Sequence, residues 1–384
     1  MIKRVFTIIK EDLIYFPPTL SLIKALTDLN IRVIHLGCYT DVNNRKKLEQ
    51  KGVTFVDLVQ YNATDSLIDK FIKQKKFKRA VQEFLSSSNI NNDDYVWILN
   101  AETVCLLSSI VGKYRTILQF YEFQNKVFNW KYWLMNPTYN FVKTLHKAEK
   151  IVHCEYNRAQ ISKGLYNLET LPFILPNKPY VDEEILEDIP LDVKEIINNI
   201  EIKIKGKKVI LYQGIFNSKE RRLQEFCQAI KELPDDYVLI AMGKGNVEFK
   251  RLRKEFESNR ILFIPFIRPP FHLLVTKMAS ICVLSYFPSS ETFADTINPI
   301  YCAPNKIFEY AKYRKPMISN DIPGLYYPFK LYNCGRCIKY PMTVEHVKDT
   351  LVEIFDNYDL LAKGALDLYN SVDIKEIVYD IINS

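Results

Sequence analysis

The chain has 384 residues, which is more than one ordinary core holds and suits two domains of about 150–200 residues each. Hydrophobic residues make up 48% and charged residues 25%, so the composition excludes a globally disordered chain. The formal net charge of +7 comes without a nucleic-acid-binding motif, which argues against nucleic acid and suits an anionic small molecule or an anionic membrane face.

The cysteine pattern argues against a disulfide framework. Most of the eight cysteines lie inside apolar runs, which is typical of buried free thiols in a reducing compartment. Cys334 and Cys337 form a lone C-x-x-C, whereas a zinc site needs a second pair or well-placed histidines. We therefore predict no metal site.

The sequence predicts no membrane-spanning helix. The start of the chain lacks the apolar stretch and cleavage site of a signal peptide, and no window reaches the roughly 18–20 apolar residues of a spanning helix. We expect a cytoplasmic protein, either free or peripheral on the inner face of the membrane.

The first half alternates short β-rich runs with helical stretches, which predicts a parallel sheet covered on both faces. The predicted strands are Arg4–Ile9, Ile31–Leu36, Thr54–Leu58, Tyr95–Leu99, Thr116–Phe120, Ile151–Cys154 and Leu171–Leu175. The predicted helices are Thr19–Leu29, Asp65–Leu85, Thr103–Gly112, Gln124–His146 and Tyr156–Gly164.

The alternation breaks at a proline-containing, charged stretch with a short helix inside it, and then restarts. The second set of predicted strands is Lys208–Tyr212, Tyr237–Ala241, Ile261–Pro265, Ile281–Ser285, Pro316–Ser319 and Cys337–Tyr340. The second set of predicted helices is Glu220–Leu233, Glu248–Ser258, Phe271–Met278, Pro304–Arg314, Val344–Tyr358 and Asp373–Ile382.

These patterns predict an α/β protein of two Rossmann-like, doubly wound domains that face each other across a ligand cleft. We expect an N-terminal domain over residues 1–178, a linker over 179–206 and a C-terminal domain over 207–365. We expect residues 366–384 to form a last helix, and one option is that this helix packs against the N-terminal domain.

The segment "APNKIFEYAKYRKP" is the most informative stretch. Pro304 suits the first position of a helix, whose free amides favour an anion. Asn305 and Glu309 are four apart and share one face, with Lys306 on a neighbouring stripe. A diphosphate at the helix start and a ribose bound to Glu309 fit this spacing, and so does an ordinary amphipathic helix with a solvated Lys–Glu pair.

Two strand-to-glycine turns come earlier. The run "VILYQG" stops at Gly214, and Arg221 lies seven residues on, where an arginine can clamp phosphate oxygens. The run "LIAMGKGN" contains Gly243 and Lys244. Each turn alone is equally typical of a strand followed by a helix with surface charges.

Together these segments resemble the C-terminal half of the group 1 (family 4) glycosyltransferases. The ordered series is "YQG" at 212–214, Arg221, "MGKG" at 242–245, "IPFI" at 264–267, "MASICVLSY" at 278–286 and "PNKIFEYAKYRKPMISNDIPG" at 304–324. The first half is similar too, in "FPPTLSLIKALTDLNIRVIHLG", "KIVHCEYNRAQI" and "ILPNKP".

The resemblance implies the GT-B fold, a nucleotide-diphosphate-sugar donor, retention of anomeric configuration, and no metal or other cofactor. It implies that Arg221, Asn305 and Lys306 face the donor diphosphate and that Glu309 binds the ribose. Phe266 would flank the base. The implied acceptor is a glycan, a glycolipid or a lipid-linked molecule in cell-surface polysaccharide synthesis.

The chain departs from the family pattern at several positions. Tyr301 stands where many members carry a first glutamate, Ile215 where a second basic residue follows the glycine, and Tyr121 where a histidine precedes Glu122. Prolines 17 and 18 replace the glycines of the N-terminal loop. Glu291 is another candidate for the sugar. We expect Arg221 and Lys306 to stabilise the leaving group and Glu122 to orient the acceptor.

Two stretches of the first domain suggest a membrane-facing surface. Residues 69–84 place lysines and arginines beside Phe71, Ile72, Phe77 and Phe84, and residues 125–141 are unusually aromatic. Basic amphipathic helices of this kind lie in lipid interfaces, or pack on a sheet with their basic face in water. The rival functions are a sugar-nucleotide epimerase of the same fold and a non-catalytic relative that binds a glycan or a protein partner.

Overall fold

The computed structural model describes residues 2–59, 65–124, 136–137, 139–180, 189–289 and 292–384. The chain forms two compact units, one of residues 1–180 with 373–384 and the other of residues 181–372. Each unit is built on one parallel sheet, as the alternating pattern predicted.

The sheet of the first unit has seven strands in the spatial order β3-β2-β1-β4-β5-β6-β7. The strands are β1 (Arg4–Asp12), β2 (Arg32–Cys38), β3 (Thr54–Asp57), β4 (Asp94–Leu99), β5 (Thr116–Phe120), β6 (Lys150–His153) and β7 (Phe173–Ile174). The α-helices before the second unit are α1 (Pro17–Asp28), α2 (Val42–Gln50), α3 (Leu67–Ser87), α4 (Ala101–Leu107), α5 (Phe141–Leu145) and α6 (Tyr156–Tyr166).

The sheet of the second unit has six strands in the order β10-β9-β8-β11-β12-β13. The strands are β8 (Lys208–Gly214), β9 (Tyr237–Gly243), β10 (Ile261–Pro265), β11 (Ile281–Leu284), β12 (Met317–Asn320) and β13 (Gly335–Ile338). The helices are α7 (Leu191–Ile204), α8 (Ser218–Arg221), α9 (Leu223–Glu232), α10 (Val247–Phe256), α11 (His272–Met278), α12 (Phe293–Ile300), α13 (Asn305–Lys312), α14 (Pro323–Tyr332), α15 (Val344–Asp356) and α16 (Tyr358–Asn370).

In both sheets the order reverses beside the first strand, which is the doubly wound arrangement of Rossmann-like domains. Every strand pair is parallel, for example Gly214 of β8 opposite Gly243 of β9. Parallel strands need crossover helices, and the core lies where these helices cover the sheet faces. Ligands of such sheets bind beyond the carboxyl ends of the strands.

The last helix, α17 (Ile374–Asn383), belongs to the first unit. Lys150 of β6 donates hydrogen bonds from Nζ to the carbonyl oxygens of Ile381 and Ser384, over 2.6 and 2.8 Å. A cation at the carbonyl end of a helix satisfies acceptors that lack a partner within the helix. The predicted boundary at residue 365 falls inside α16, which remains in the second unit.

The segment predicted as a linker, residues 179–206, contains a full helix of the second unit. Helix α7 buries Val193, Ile197, Ile200 and Ile204 in the core. These residues recur every three or four positions, so one face of the helix is apolar. Half of the predicted linker, 14 of its 28 residues, is therefore a packed helix of the second unit.

Several element predictions were wrong in detail. The single helix predicted over Glu220–Leu233 is broken into α8 and α9 because Arg222 adopts a left-handed backbone with φ 40°. Pro304 precedes α13 as its N-cap instead of opening it. Helices α2, α12, α14 and α16 were not predicted. Two of them contain an internal proline, Pro299 in α12 and Pro328 in α14, which argues against a helix in the sequence. Of the helix predicted at Gln124–His146, residues 125–135 and 138 lie outside the described residues.

Within the described part of the chain, no helix combines the length and the apolar character needed to cross a bilayer. The eight cysteines are all unpaired, and six of them are buried.

Candidate functional site

The site is built at the carboxyl ends of β8 and β9, where two glycines allow close approach. Gly214 has φ +153°, a conformation that side chains rarely adopt. A Cβ on Gly243 would lie 2.2 Å from the carbonyl oxygen of Gly214, so only glycine fits there without a backbone shift. At the ends of these two strands the backbone is therefore not covered by side chains of its own residues, and we call this the bare edge.

Lys306 reaches this edge from the first turn of α13. A Cβ on Gly214 would lie 2.7 Å from Nζ of Lys306, so the ammonium occupies the space that the missing side chain leaves. No ion pair joins Lys306 to a carboxylate in the described residues. The first turn of α13 also has no side-chain cap, and Ile307 donates its amide to the carbonyl oxygen of Pro304 over 3.3 Å. The amides of Asn305 and Lys306 are open to an anion.

The pKa of Lys306 reflects this setting. Loss of hydration lowers the pKa of the ammonium to about 8, the Glu309 carboxylate opposes the shift, and the Arg221 guanidinium adds to it. An anion placed between the two cations would restore the charged form. The local electrostatics therefore favour a negatively charged ligand.

Arg221 is held by the residues that follow β11. Its guanidinium carbon lies 4.4 Å from the ring centroid of Tyr286, and its carbonyl oxygen accepts a hydrogen bond from Ser285. Asn320 of β12 fixes the backbone of Tyr286 through bonds of 2.9 and 2.7 Å. Nη1 of Arg221 donates a hydrogen bond to the carbonyl oxygen of Glu220 over 3.1 Å. The aromatic face orients the arginine and leaves its remaining N–H groups for another acceptor.

Glu309 lies one turn further along α13, with its side chain 16% exposed. Its Oε2 accepts a hydrogen bond from Nε2 of Gln213 at 3.2 Å and lies 3.4 Å from Nε2 of His272. Oε1 has no hydrogen-bond partner among the described residues. One carboxylate oxygen is thus fixed, and the other is available to a ligand hydroxyl.

The orientation of Gln213 is fixed from its other end. Its Oε1 accepts a hydrogen bond from Oγ1 of Thr276 in α11, over 3.3 Å. Gln213 is buried, so its amide needs both partners. β8, α11 and α13 together hold the Glu309 carboxylate.

The other predicted donor-side residues lie along the same edge of the sheet. Phe266 follows β10 and is 49% exposed, and Nζ of Lys244 lies 5.7 Å from its ring centroid. Asn305 opens α13 beside Lys306. A half-exposed ring beside a lysine suits a flat, polar ligand such as a nucleobase.

Two predicted residues lie elsewhere. Glu122 follows β5 in the first unit and is exposed at the carboxyl end of that sheet. Before it, Tyr121 shares a 2.5 Å hydrogen bond between its hydroxyl and Oγ1 of Thr19. Glu291 lies outside the described residues. No three His, Cys, Asp or Glu side chains of the described chain converge as metal ligands.

Three residues of this arrangement, Gln213, His272 and Tyr286, were not predicted from the sequence. Gln213 directly precedes Gly214, and Tyr286 is the last residue of the segment "MASICVLSY". A polar residue inside an apolar strand is a signal for Gln213, because buried amides require partners. Nothing in the local sequence distinguishes His272.

No model of a known protein family matches this chain, and no curated protein sequence matches it. The chain is similar in structure to Alr3699/HepE of Anabaena in complex with UDP, with a TM-score of 0.65 and 12% identity over 99% of this chain and 98% of that one.

Two further solved structures extend this likeness. WaaG, a glycosyltransferase involved in lipopolysaccharide biosynthesis, has a TM-score of 0.64 and 12% identity over 99% of this chain and 98% of its own. A Listeria monocytogenes protein assigned as a UDP-N-acetylglucosamine 2-epimerase has a TM-score of 0.63 and 11% identity, over 99% and 95%. These likenesses, with the doubly wound order of both sheets, show that the chain has the GT-B fold of two Rossmann-like domains.

Proposed function

We propose that this protein is a glycosyltransferase that uses a nucleotide-diphosphate sugar as its donor. The observation that carries the proposal is the placement of the Lys306 ammonium against Gly214, with Arg221 close enough to lower its pKa. Two cations that have no carboxylate partner among the described residues, at the carboxyl end of a Rossmann-like sheet, form a site for a diphosphate.

The proposed chemistry follows from where charge develops. Breaking the bond between the sugar and the diphosphate leaves additional negative charge on the phosphate oxygens. Arg221, Lys306 and the first amides of α13 stabilise that charge more strongly than they stabilise the ground state, which lowers the barrier. We infer a metal-independent reaction, since these fixed cations supply the charge that a metal would otherwise provide.

The nucleoside would lie further along the same edge. Oε1 of Glu309 accepts a hydrogen bond from a ribose hydroxyl, and Phe266 with Lys244 flanks the base. Because HepE was crystallised with UDP and with UDP-glucose, a uridine diphosphate hexose is the first donor to test.

We propose that transfer retains the anomeric configuration, with the departing phosphate assisting the incoming hydroxyl. Glu122 is then a group that orients the acceptor, and no protein base is obligatory. The proposed acceptor is a glycan, a glycolipid or a lipid-linked sugar of cell-surface polysaccharide synthesis. The role of WaaG in lipopolysaccharide biosynthesis supports a glycolipid acceptor.

The decisive experiment is a thermal-shift panel over uridine, guanosine and cytidine diphosphate sugars. The expected result is a selective rise in Tm with one nucleotide, since a ligand that binds only the folded chain stabilises it. The shift should vanish in Lys306→Ala and persist in Lys312→Ala, in the last turn of the same helix. Equal shifts in these two variants would contradict the site.

An epimerase of the same fold is the second candidate, favoured by the likeness to the Listeria protein. Incubation with the donor alone discriminates the two functions. With no acceptor present, an epimerase still yields an isomerised nucleotide sugar or the free isomerised sugar. A non-catalytic relative would bind a glycan or partner and give neither transfer nor hydrolysis of any donor.

A further inference from the structure

Helix α3 of the first unit separates its apolar residues into two groups. Phe77, Val81 and Leu85 of its second half are buried, at intervals of four residues that place them on one face. Leu67, Ile68, Phe71 and Ile72 of its first half are exposed, between 37% and 73%. Packing in the core therefore accounts for the apolar residues in the second half of α3. It does not account for the exposed apolar residues of the first two turns.

The exposed apolar residues are surrounded by positive charge. Residues 65–79 contain six lysines and arginines and two aspartates. Lys73 pairs with Asp65, and Arg79 pairs with Glu83. Lys70, Lys75, Lys76 and Lys78 have no ion-pair partner within the described residues.

Helix α10 of the second unit shows how a solvated basic helix differs. Arg251 pairs with Glu248 and Glu255 over 2.9 and 2.8 Å, and Arg253 pairs with Glu257 over 2.9 Å. Glutamates at three- and four-residue spacing neutralise those arginines in place. Lys250 and Lys254 of α10 also lack an ion pair among the described residues. What distinguishes α3 is that its four lysines lie beside four exposed apolar side chains, so that surface suits an external anion with an apolar layer behind it.

The cations and the exposed apolar side chains share one face of α3. Phe71, Lys75, Lys78 and Arg79 are four of the eight residues that line a cavity of about 260 Å³, and the other four are Gln74, Gln82, Leu106 and Asn136. Nζ of Lys75 lies 4.4 Å from the ring centroid of Phe71, one helical turn away. A phosphate headgroup fits the cationic lining, and the side chains of the first two turns are free to enter an acyl layer.

We propose that the first half of α3 is a docking surface for an anionic phospholipid bilayer. Lysines near such a surface attract the phosphates, and Leu67, Ile68 and Ile72 insert beside the headgroups. Docking through α3 would hold the first unit against the membrane and so deepens the proposed function by favouring a lipid-anchored acceptor.

The test is flotation of the full chain with vesicles of phosphatidylcholine, with and without phosphatidylglycerol, in the absence of nucleotide sugar. We expect co-flotation only with phosphatidylglycerol, strongly reduced at about 1 M salt, where the Debye length is about 3 Å. Lys75→Glu/Lys78→Glu should lower the partition coefficient roughly tenfold or more. The matched variant Lys250→Glu/Lys254→Glu on α10 should retain most of the binding.

A second pair of variants tests the apolar contribution. Leu67→Ser/Ile68→Ser keeps the charge and should lower binding several-fold, whereas Val247→Ser, at a residue of the second unit that is 85% exposed, should not. The proposal is wrong if wild-type protein stays unbound at low ionic strength, or if both α3 variants bind as wild type does. It is also wrong if single-stranded nucleic acid binds and vesicles do not. Donor-induced thermal shifts should be unchanged in every variant, so failure here is separable from failure of the donor site.

Discussion

Gln213 donates a hydrogen bond to Glu309 over 3.2 Å, joining the end of β8 to the middle of α13 across 96 residues of sequence. This bond fixes one oxygen of the carboxylate proposed to bind the ribose. Gln213→Leu should leave the fold intact and let the carboxylate rotate, raising the donor KM several-fold with a smaller change in kcat. Gln228→Leu, on α9, is the control in steady-state kinetics. An unchanged KM in Gln213→Leu would show that the bond does not position Glu309 for binding.

Removal of either principal donor contact should be severe. Arg221→Ala and Glu309→Ala are each expected to reduce donor turnover roughly tenfold or more, because each deletes a charge from the site. Arg253→Ala, which removes a guanidinium paired with Glu257 on α10, should keep most of the activity. Normal turnover in both folded site variants would overturn the assignment.

Donor binding should depend on pH through Lys306. Its pKa of about 8 lies below the ordinary lysine value, so about half of the side chain has lost its proton at pH 8. Donor affinity should be flat below about pH 7 and fall progressively above it.

Binding at about pH 8.5 should take up a proton, because the diphosphate raises the lysine pKa again. Calorimetry in two buffers of different ionisation enthalpy measures this uptake. Lys306→Arg should abolish it, and Lys312→Arg should not. The depressed pKa also affects the free energy of unfolding. Below pH 8 the folded state must hold a buried ammonium, so Lys306 lowers the free energy of unfolding most in that range. This destabilisation decreases as the pH rises from about 8 towards the lysine pKa of the unfolded chain.

The bare edge between β8 and β9 should tolerate no side chain. Gly243→Ala places a Cβ 2.2 Å from the carbonyl oxygen of Gly214, and overpacking of this kind costs about 1–3 kcal/mol. We expect a lower Tm and loss of the donor-induced shift. Gly245→Ala, whose added Cβ would meet nothing within 4 Å, is the matched control. Similar behaviour of the two variants in thermal denaturation would refute the close approach.

Two fully buried tyrosines should respond oppositely to loss of the hydroxyl. The hydroxyl of Tyr310 is buried and has no hydrogen-bond partner among the described residues, whereas that of Tyr95 donates to Glu149 over 2.7 Å. Tyr310→Phe removes an unsatisfied group and should stabilise the fold by about 1 kcal/mol, and Tyr95→Phe should destabilise it by a similar amount. Chemical denaturation measures both changes. A loss of stability in Tyr310→Phe would mean that its hydroxyl has a stabilising contact.

The alternation of strands and helices could be predicted from the sequence because it depends on the properties of residues close together in the chain. Buried parallel strands require continuous apolar runs such as those at Val209–Tyr212 and Tyr237–Ala241, and amphipathic helices require apolar residues every three or four positions. The positions of Gly214, Gly243, Lys306 and Glu309 at strand ends and in the first turns of a helix were predictable for the same reason, whereas the roles proposed for them came from the resemblance to a family.

Contacts between residues distant in sequence were decided by the tertiary structure alone. The apposition of Lys306 with Gly214, and of Gln213 with Glu309, depends on how α13 docks against the end of β8, and no local pattern encodes that distance. The break at Arg222 and the burial of α7 likewise follow from packing that outweighs local preference. The sequence thus determined which residues stand at the ends of elements, and the fold determined which of those ends meet, because burial energy is gained only when the whole sheet and its helices assemble together.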